Sequence, residues 1–258
     1  MSNEPNVTPG VTTEKTGSIL RVTMSSPGKK NAIDTAMYLG LANALTQAAN
    51  DSSIRVVLLR GADGDFTSGN VVDDFENTAK GENPPVVSFL DALINFPKPI
   101  VAKVEGVAIG VGATMLMHCD VISAADGTRF RLPFVNLGLV PAAGASYLLP
   151  RLMGQAKAAD LLLLGRMFSA EEAVSAGLVS RVLSPDALED AVESVAQELC
   201  ELPPNALMKT KALLRAPLVG NLWDRVADEL TQFADGLEQE EFKEAYAAFA
   251  EKRKPVFK

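Results

Sequence analysis

The stretch GVAIGVGATMLM, from Gly106 to Met117, is the longest uncharged and largely apolar segment of the chain. It follows apolar residues 100–104, which are typical of a strand. Its 12 residues are too few for a membrane helix, which needs about 20. Within it, Gly110 and Gly112 stand where the strand is predicted to turn into a helix, and glycine allows close main-chain approach there. The stretch therefore predicts a strand, a glycine turn and a helix inside a soluble protein.

Strands and helices alternate on either side of this stretch. Further strands are predicted at Ile19 to Met24, Val56 to Leu59 and Val121 to Ser123. Between the first two, Asp34 precedes apolar residues at three- and four-residue intervals, which predicts a capped amphipathic helix. This alternation indicates an α/β fold.

The chain divides into three predicted regions. Residues 1–16 are polar and predict a flexible tail, residues 17–202 a core, and residues 203–258, which begin with two prolines, a C-terminal helical region. After Asn221 the apolar set Leu222, Val226, Leu230, Phe233 and Leu237 recurs at helical spacing. Because a lone helix cannot bury such a stripe, the region must pack on the core or on another subunit.

Composition excludes several classes of function. The 24 basic and 32 acidic residues give a formal charge of -8, which disfavours binding to nucleic acid. The two cysteines, Cys119 and Cys200, predict neither disulfides nor a metal site. The N-terminus does not resemble a signal peptide, so we expect a cytoplasmic protein with no membrane partner.

The sequence offers few of the side-chain motifs that common catalytic mechanisms use. The single histidine, His118, lies late in the predicted apolar helix and is interpreted as a packing residue. Ser146 lacks the second glycine of a nucleophile elbow, and Met115 replaces the third glycine of a dinucleotide fingerprint. Two glycine-bearing turns remain, at 67–70 and 109–112. Each precedes a predicted helix, whose first amides lack partners and can stabilise negative charge, although a tight packing turn explains either one equally well.

Five motifs together resemble the crotonase family, which comprises enoyl-CoA hydratases, isomerases and their relatives. They are PGKKNA at 27–32, DFTSGN at 65–70, KVEGVAIGVGATMLMHCD at 103–120, LPFVNLGLVPAAGASYLLPRLMG at 132–154 and AFAEKRKPVF at 248–257. The resemblance covers residue 17 to the end. It implies a spiral of strand-strand-helix turns with a C-terminal helical trimerisation region, a homotrimer or hexamer, and a coenzyme A thioester as substrate with no further cofactor.

The resemblance also implies site residues. The main-chain amides of Asn70 and Val111 would form the oxyanion hole that holds the thioester oxygen. Coenzyme A contacts map to two sets, Gly28, Lys29 and Lys30 on the first loop and Ser68, Val71 and Val72 near the second. Phe249 and Lys252 match tail residues that reach a neighbouring subunit's ligand.

The family's usual catalytic acids are absent. The two hydratase carboxylates match Thr114 and Phe134, and the acid of one isomerase branch matches Ala142. Three explanations stay open. A carboxylate at Asp73, Asp74 or Glu76 could act instead, Thr114 could hold a water that carries the proton, or the protein could bind acyl-CoA without chemistry. Phe134 and Ala142 would make the site apolar, which suits a bulky acyl group.

The expected function is therefore that of an acyl-CoA enzyme of lyase or isomerase type in fatty acid metabolism. An enolate would be stabilised by the two amides, and a double-bond shift would be easier than two-acid hydration. The alternative is a non-catalytic acyl-CoA binding protein.

Overall fold

The computed structural model describes residues 6–8, 10–74, 84–216 and 218–257. Its strands are β1 (Asn6–Thr8), β2 (Val11–Thr16), β3 (Ile19–Met24), β4 (Val56–Gly61), β5 (Ile100–Val104), β6 (Val107–Ile109), β7 (Val121–Ala125), β8 (Arg129–Arg131), β9 (Met167–Ser169) and β10 (Arg181–Leu183). Its α-helices are α1 (Thr35–Asn50), α2 (Pro85–Ile94), α3 (Val111–Thr114), α4 (Ala145–Met153), α5 (Gln155–Leu164), α6 (Ala170–Ser175), α7 (Pro185–Glu201), α8 (Pro204–Arg215), α9 (Val219–Glu238) and α10 (Glu240–Ala250). Short 3₁₀ turns lie at Val72–Asp74, Met115–His118 and Val135–Leu137.

The main sheet has seven strands in the order β1-β2-β3-β4-β5-β7-β10. Neighbouring strands among β1, β2 and β3 are antiparallel, whereas β3, β4, β5, β7 and β10 run parallel to one another. The central strand β4 is buried along Val56 to Leu59, as its continuous apolar run predicts for a strand covered on both faces. The α/β class expected from the alternating pattern is confirmed.

A smaller sheet stands next to the main one and carries the turn at Gly110. It contains β6, β8 and β9, with β6 parallel to β8 and β8 antiparallel to β9. Phe130 and Phe168 stack across the β8–β9 pair with their ring centroids 5.5 Å apart. This packing fixes the end of β6, after which the chain turns into α3.

The predicted flexible tail over residues 1–16 is wrong for Val11–Thr16. These residues form β2, which pairs with β3 from Val11↔Met24 to Thr16↔Ile19. Val11 is buried while most of the strand is partly exposed. The β-branched residues of this segment suit a strand, which lies between β1 and β3 in the sheet, although their polarity obscures the pattern.

The C-terminal helices pack on the core of their own chain. Leu222 and Val226 of α9 and Ala245 and Ala248 of α10 are buried. The apolar stripe predicted to continue past Gly236 is divided between two helices that meet at Gln239. Of the residues described, none belongs to a helix that combines the length and the apolar character needed to cross a membrane.

Candidate active site

The two glycine turns predicted from the sequence lie side by side. The Thr67 amide donates to the Val107 carbonyl at 3.0 Å, and the Ile109 amide donates to the Thr67 carbonyl at 3.1 Å. A parallel bridge joins Thr67 to Ala108 at this point. Residues about forty positions apart in the sequence are thereby held next to each other.

Two glycines allow the close contact between these turns. Gly69 has a φ of +89°, and a Cβ atom there would lie 2.7 Å from the Ile109 carbonyl oxygen. A Cβ atom at Gly112 would lie 2.5 Å from the Thr67 methyl carbon. Any larger residue at either position must push the turns apart.

Asn70 and Val111 both line one cavity of about 440 Å³. The neighbouring main-chain amides donate hydrogen bonds within the fold. Gly110 donates to the Arg131 carbonyl at 2.9 Å, and Val71 donates to the Ile33 carbonyl at 2.9 Å. In the described part of the chain, neither the Asn70 nor the Val111 amide has an acceptor. Two residues whose main-chain amides have no acceptor among the described residues therefore line the same cavity.

The rest of the cavity wall is largely apolar. Helices α2, α9 and α10 and the turn at Val135–Leu137 contribute to it. The apolar wall includes Val86, Val87, Leu90, Phe134, Leu137, Leu139, Ala142, Leu230, Phe233 and Phe249. Among the described residues that line the cavity there is no aspartate or glutamate. Such a wall suits an uncharged acyl chain beside a polar group held by the amides.

Several residues implied by the resemblance lie in this wall, namely Asn70, Val111, Ser68, Val72, Phe134, Ala142 and Phe249. Phe249 lines the cavity of its own chain, whereas the resemblance assigns its position to a neighbour's ligand. Lys252 and Val71 are not among the described lining residues.

The first loop is joined to the second through Ser68. The Ser68 amide donates to the Lys30 carbonyl at 2.8 Å, and its hydroxyl donates to the Lys29 carbonyl at 2.9 Å. Gly28, Lys29 and Lys30 are exposed and lie outside the cavity wall. The two lysine side chains are thus available to phosphate groups near the cavity, although the structure does not place them in it.

The candidate proton carriers that the structure describes, Thr114, Asp73 and Asp74, do not line the cavity. Thr114 is fully buried, its hydroxyl donates to the Val111 carbonyl at 3.4 Å, and it does not line the cavity. Asp74 accepts from the amide and the hydroxyl of Thr35, which caps α1 from outside the helix. Asp73 is exposed and accepts from the Tyr246 hydroxyl. Glu76 lies outside the described residues.

Tyr38 is a cavity residue that the sequence analysis does not single out. It belongs to the buried face of α1, and its hydroxyl donates to the Asn70 side-chain oxygen. Complete burial raises the pKa of the phenol, so it stays protonated and can only donate to Asn70. Its position next to Met37 in an apolar stripe gives no sequence signal for this contact.

Glu229 is a second residue whose contact was not predicted from the sequence. Its carboxylate accepts from the Gly144 amide at 2.6 Å, the Ser146 amide at 2.8 Å and the Ser146 hydroxyl at 2.5 Å. Only 4% of Glu229 is exposed, and burial raises its pKa while these hydrogen bonds oppose the shift. A sequence signal exists, because a glutamate three residues after Val226 falls on the apolar face of α9.

His118 is a packing residue, as predicted. It is buried, and its Nε2 lies 2.9 Å from the Ala143 carbonyl oxygen. Burial lowers the pKa of its imidazole to about 4, so the ring is neutral at pH 7 and donates to that carbonyl. It contributes no proton carrier to the cavity wall.

Comparison with known proteins gives a consistent result. A sequence model described as enoyl-CoA hydratase/isomerase matches residues 14–258. Enoyl-CoA delta isomerase 2 of Rattus norvegicus is 36% identical over 213 residues, covering 80% of this chain and 54% of the rat protein. The chain thus spans about half the length of that relative.

Two further proteins match over more of their length. Enoyl-CoA delta isomerase 3, peroxisomal, of Mus musculus is 34% identical over 90% of this chain and 75% of its own. The crystal structure of an enoyl-CoA hydratase/isomerase from Pseudoalteromonas atlantica T6c superposes with a TM-score of 0.92 at 42% identity, covering 96% of this chain and all of that one.

Proposed function

The chain belongs to the enoyl-CoA hydratase/isomerase, or crotonase, family, and we propose on this premise that it is an enzyme acting on acyl-CoA thioesters. The observation that supports the proposal is the pair of free amides, Asn70 and Val111, on one apolar cavity. Main-chain donors aimed at a thioester oxygen stabilise the negative charge of an enolate.

The reaction that we propose is a double-bond shift through this enolate. In a shift, one carrier removes a proton from one carbon and returns it to another, whereas family hydration uses two carboxylates on one water. The described wall offers no carboxylate, which disfavours the two-acid reaction. Two of the relatives compared above are named enoyl-CoA delta isomerases.

The convergence of the two turns can be tested with a matched pair of glycine variants. Gly69→Ala would place a Cβ atom 2.7 Å from the Ile109 carbonyl oxygen, whereas Gly127→Ala meets nothing within 4 Å. Both glycines have a positive φ, +89° and +84°, so both variants carry similar backbone strain. Only the first moves one turn relative to the other.

The readout is exchange of the α-proton of a saturated acyl-CoA in D₂O, together with assays of 3-enoyl-CoA isomerisation and 2-enoyl-CoA hydration. We expect Gly69→Ala to slow exchange by about 10² to 10³, the cost of one lost oxyanion donor. Gly127→Ala should exchange like the wild type. Equal rates in both variants would contradict the oxyanion proposal, and binding without exchange or turnover in the wild type would indicate a non-catalytic acyl-CoA binding protein.

The proton carrier is addressed by three variants of the segment after the oxyanion loop. Asp74→Asn should mainly destabilise α1, because Asp74 caps that helix, and Asp73→Asn should leave exchange unchanged. Loss of exchange in Glu76→Gln, with acyl-CoA binding retained, would identify Glu76 as the carrier.

A further inference from the structure

Glu229 joins the C-terminal helical region to the wall of the cavity. It lies on α9, and its carboxylate accepts three hydrogen bonds from Gly144 and Ser146 at the start of α4. Its successors Leu230 and Phe233 line the cavity, and so does Ala143, which immediately precedes Gly144. The buried carboxylate therefore connects two neighbouring parts of the cavity wall.

The segment that Glu229 holds is unusual in its backbone. Ala143 has a φ of +62° and Gly144 a φ of +74°, so two successive residues are left-handed, and the first is not glycine. His118 donates to the Ala143 carbonyl from the core side, and Glu229 binds the next amide from the α9 side. Such a conformation persists only where its surroundings hold it.

The geometry points to Glu229 as a positioning residue that sets the distance between the α9 wall and the Ala142–Ala143 wall, and thereby the acyl groups that the cavity accepts. This inference rests on the proposed function. Glu229 is not among the described lining residues, so it acts through the backbone that it holds. The ligand class is an acyl-CoA with an uncharged, apolar acyl chain.

The isosteric variant Glu229→Gln tests this role. Both main-chain partners of the carboxylate are N–H donors, so the amide group of glutamine must turn its own N–H₂ towards one of them. One buried main-chain N–H donor then loses its acceptor. This loss changes an equilibrium constant that depends on the contact by about tenfold. Asp228→Asn is the control, because Asp228 precedes Glu229 on the same helix and is exposed.

The measurement is calorimetric affinity for coenzyme A, butanoyl-CoA, octanoyl-CoA and dodecanoyl-CoA. In the wild type and in Asp228→Asn, affinity should rise with chain length, by up to about fourfold for each buried methylene. In Glu229→Gln we expect the increase in affinity from butanoyl-CoA to dodecanoyl-CoA to be about tenfold smaller. The affinity for coenzyme A itself should be unchanged. A variant that is merely less stable would keep the wild-type dependence on chain length.

The outcomes separate this inference from the proposed function. The same dependence on chain length in Glu229→Gln and the wild type would overturn the role of Glu229 and leave the proposed function standing. Absence of binding to every ester in the wild type would overturn both. If Glu229→Gln does not fold, Ser146→Ala removes only the hydroxyl donor at 2.5 Å; a smaller loss, about threefold, supports the role and an unchanged dependence overturns it.

Discussion

The Tyr38 hydroxyl is buried against Asn70, whereas the Tyr246 hydroxyl donates to Asp73 near the surface. Replacing each tyrosine with phenylalanine removes one hydroxyl and one hydrogen bond. Tyr38→Phe leaves the Asn70 side-chain oxygen without its donor, so we expect a loss of about 1 to 2 kcal/mol in unfolding free energy. Tyr246→Phe exchanges its hydrogen bond for water and should cost nothing measurable. Denaturant melts of both variants would contradict this if their midpoints moved equally.

Ala142 lies in the cavity wall at the position matched to the acid of one isomerase branch. If carbonyl polarisation is retained and only a proton carrier is weak, a carboxylate supplied here should accelerate the double-bond shift. We expect Ala142→Glu to raise 3-enoyl-CoA isomerisation by about 10²-fold, the usual contribution of a positioned base. Ala142→Gln has the same shape without an ionisable group and should give no gain. Equal rates for the two variants would show that the wall does not present this position to the substrate.

His118 predicts how stability depends on pH. Burial lowers the pKa of the imidazole from 6.5 to about 4, so between these values the unfolded chain binds a proton that the folded protein does not. The stabilisation is complete above pH 6.5 and is lost as pH falls towards 4, by about 3 kcal/mol at most. His118→Gln should flatten the dependence of unfolding free energy between pH 6.5 and 5.

Among the described carboxylates, the two whose pKa values are lowered most titrate below this window. The pKa values of Glu172 and Glu244 are lowered to about 2, so their contributions are lost below pH 4.5. The chain has a single histidine. Burial raises the pKa of Glu229, which acts with the opposite sign in both proteins, so an equal pH dependence in the wild type and in His118→Gln would contradict the buried neutral imidazole.

At the scale of elements, α10 closes the cavity of its own chain, since Ala245 and Phe249 lie in the wall. A chain ending at Gln239 lacks this helix but keeps α9, which carries Leu222 and Val226 in the core. We expect it to fold and to bind acyl-CoA about tenfold more weakly, because apolar wall is replaced by water. A chain ending at Pro255 keeps α10 and the cavity-lining Pro255, and serves as the control. Unchanged affinity in the shorter chain would show that α10 is dispensable for the ligand.

Most helices and the strands of the main sheet from β3 to β7 could be predicted from the sequence, whereas the strands of the smaller sheet could not. The helices α1, α7 and α9 each carry an apolar stripe long enough to show a 3.6-residue period. The strands β6, β8 and β9 have three residues each, too few to show any period, and their pairing depends on partners far along the chain. Only the resemblance indicated the spiral arrangement that brings them together.

The candidate site divides in the same way. The turns at Gly69 and Gly112 could be predicted because glycine marks close main-chain approach. The contact of Tyr38 with Asn70 spans 32 residues, and that of Glu229 with Gly144 spans 85. Such contacts follow from packing, which no local pattern specifies. The same reason explains why Asp74, a reasonable carrier by sequence, caps α1 instead.

At the scale of the whole molecule, the surface of the single chain suggests association with further copies. Leu213 and Leu214 on α8 are each 74% exposed, and Leu163 and Leu164 at the end of α5 are also exposed. Adjacent exposed leucines are costly in water and are typical of surfaces that are covered in an assembly. These residues support the prediction of a homotrimer or hexamer drawn from the resemblance.

We therefore expect light scattering to give three or six times the subunit mass of 27.3 kDa. The double variant Leu213→Glu/Leu214→Glu places two charges on the exposed face of α8 and should lower the mass, because a buried interface does not accept unpaired carboxylates. Ser194→Glu adds a charge to the exposed part of α7 and serves as the control. A monomeric wild type would contradict the predicted oligomer. An unchanged mass in the double variant would show that the interface lies elsewhere, because two unpaired charges at a covered surface would cost more than the association can offset.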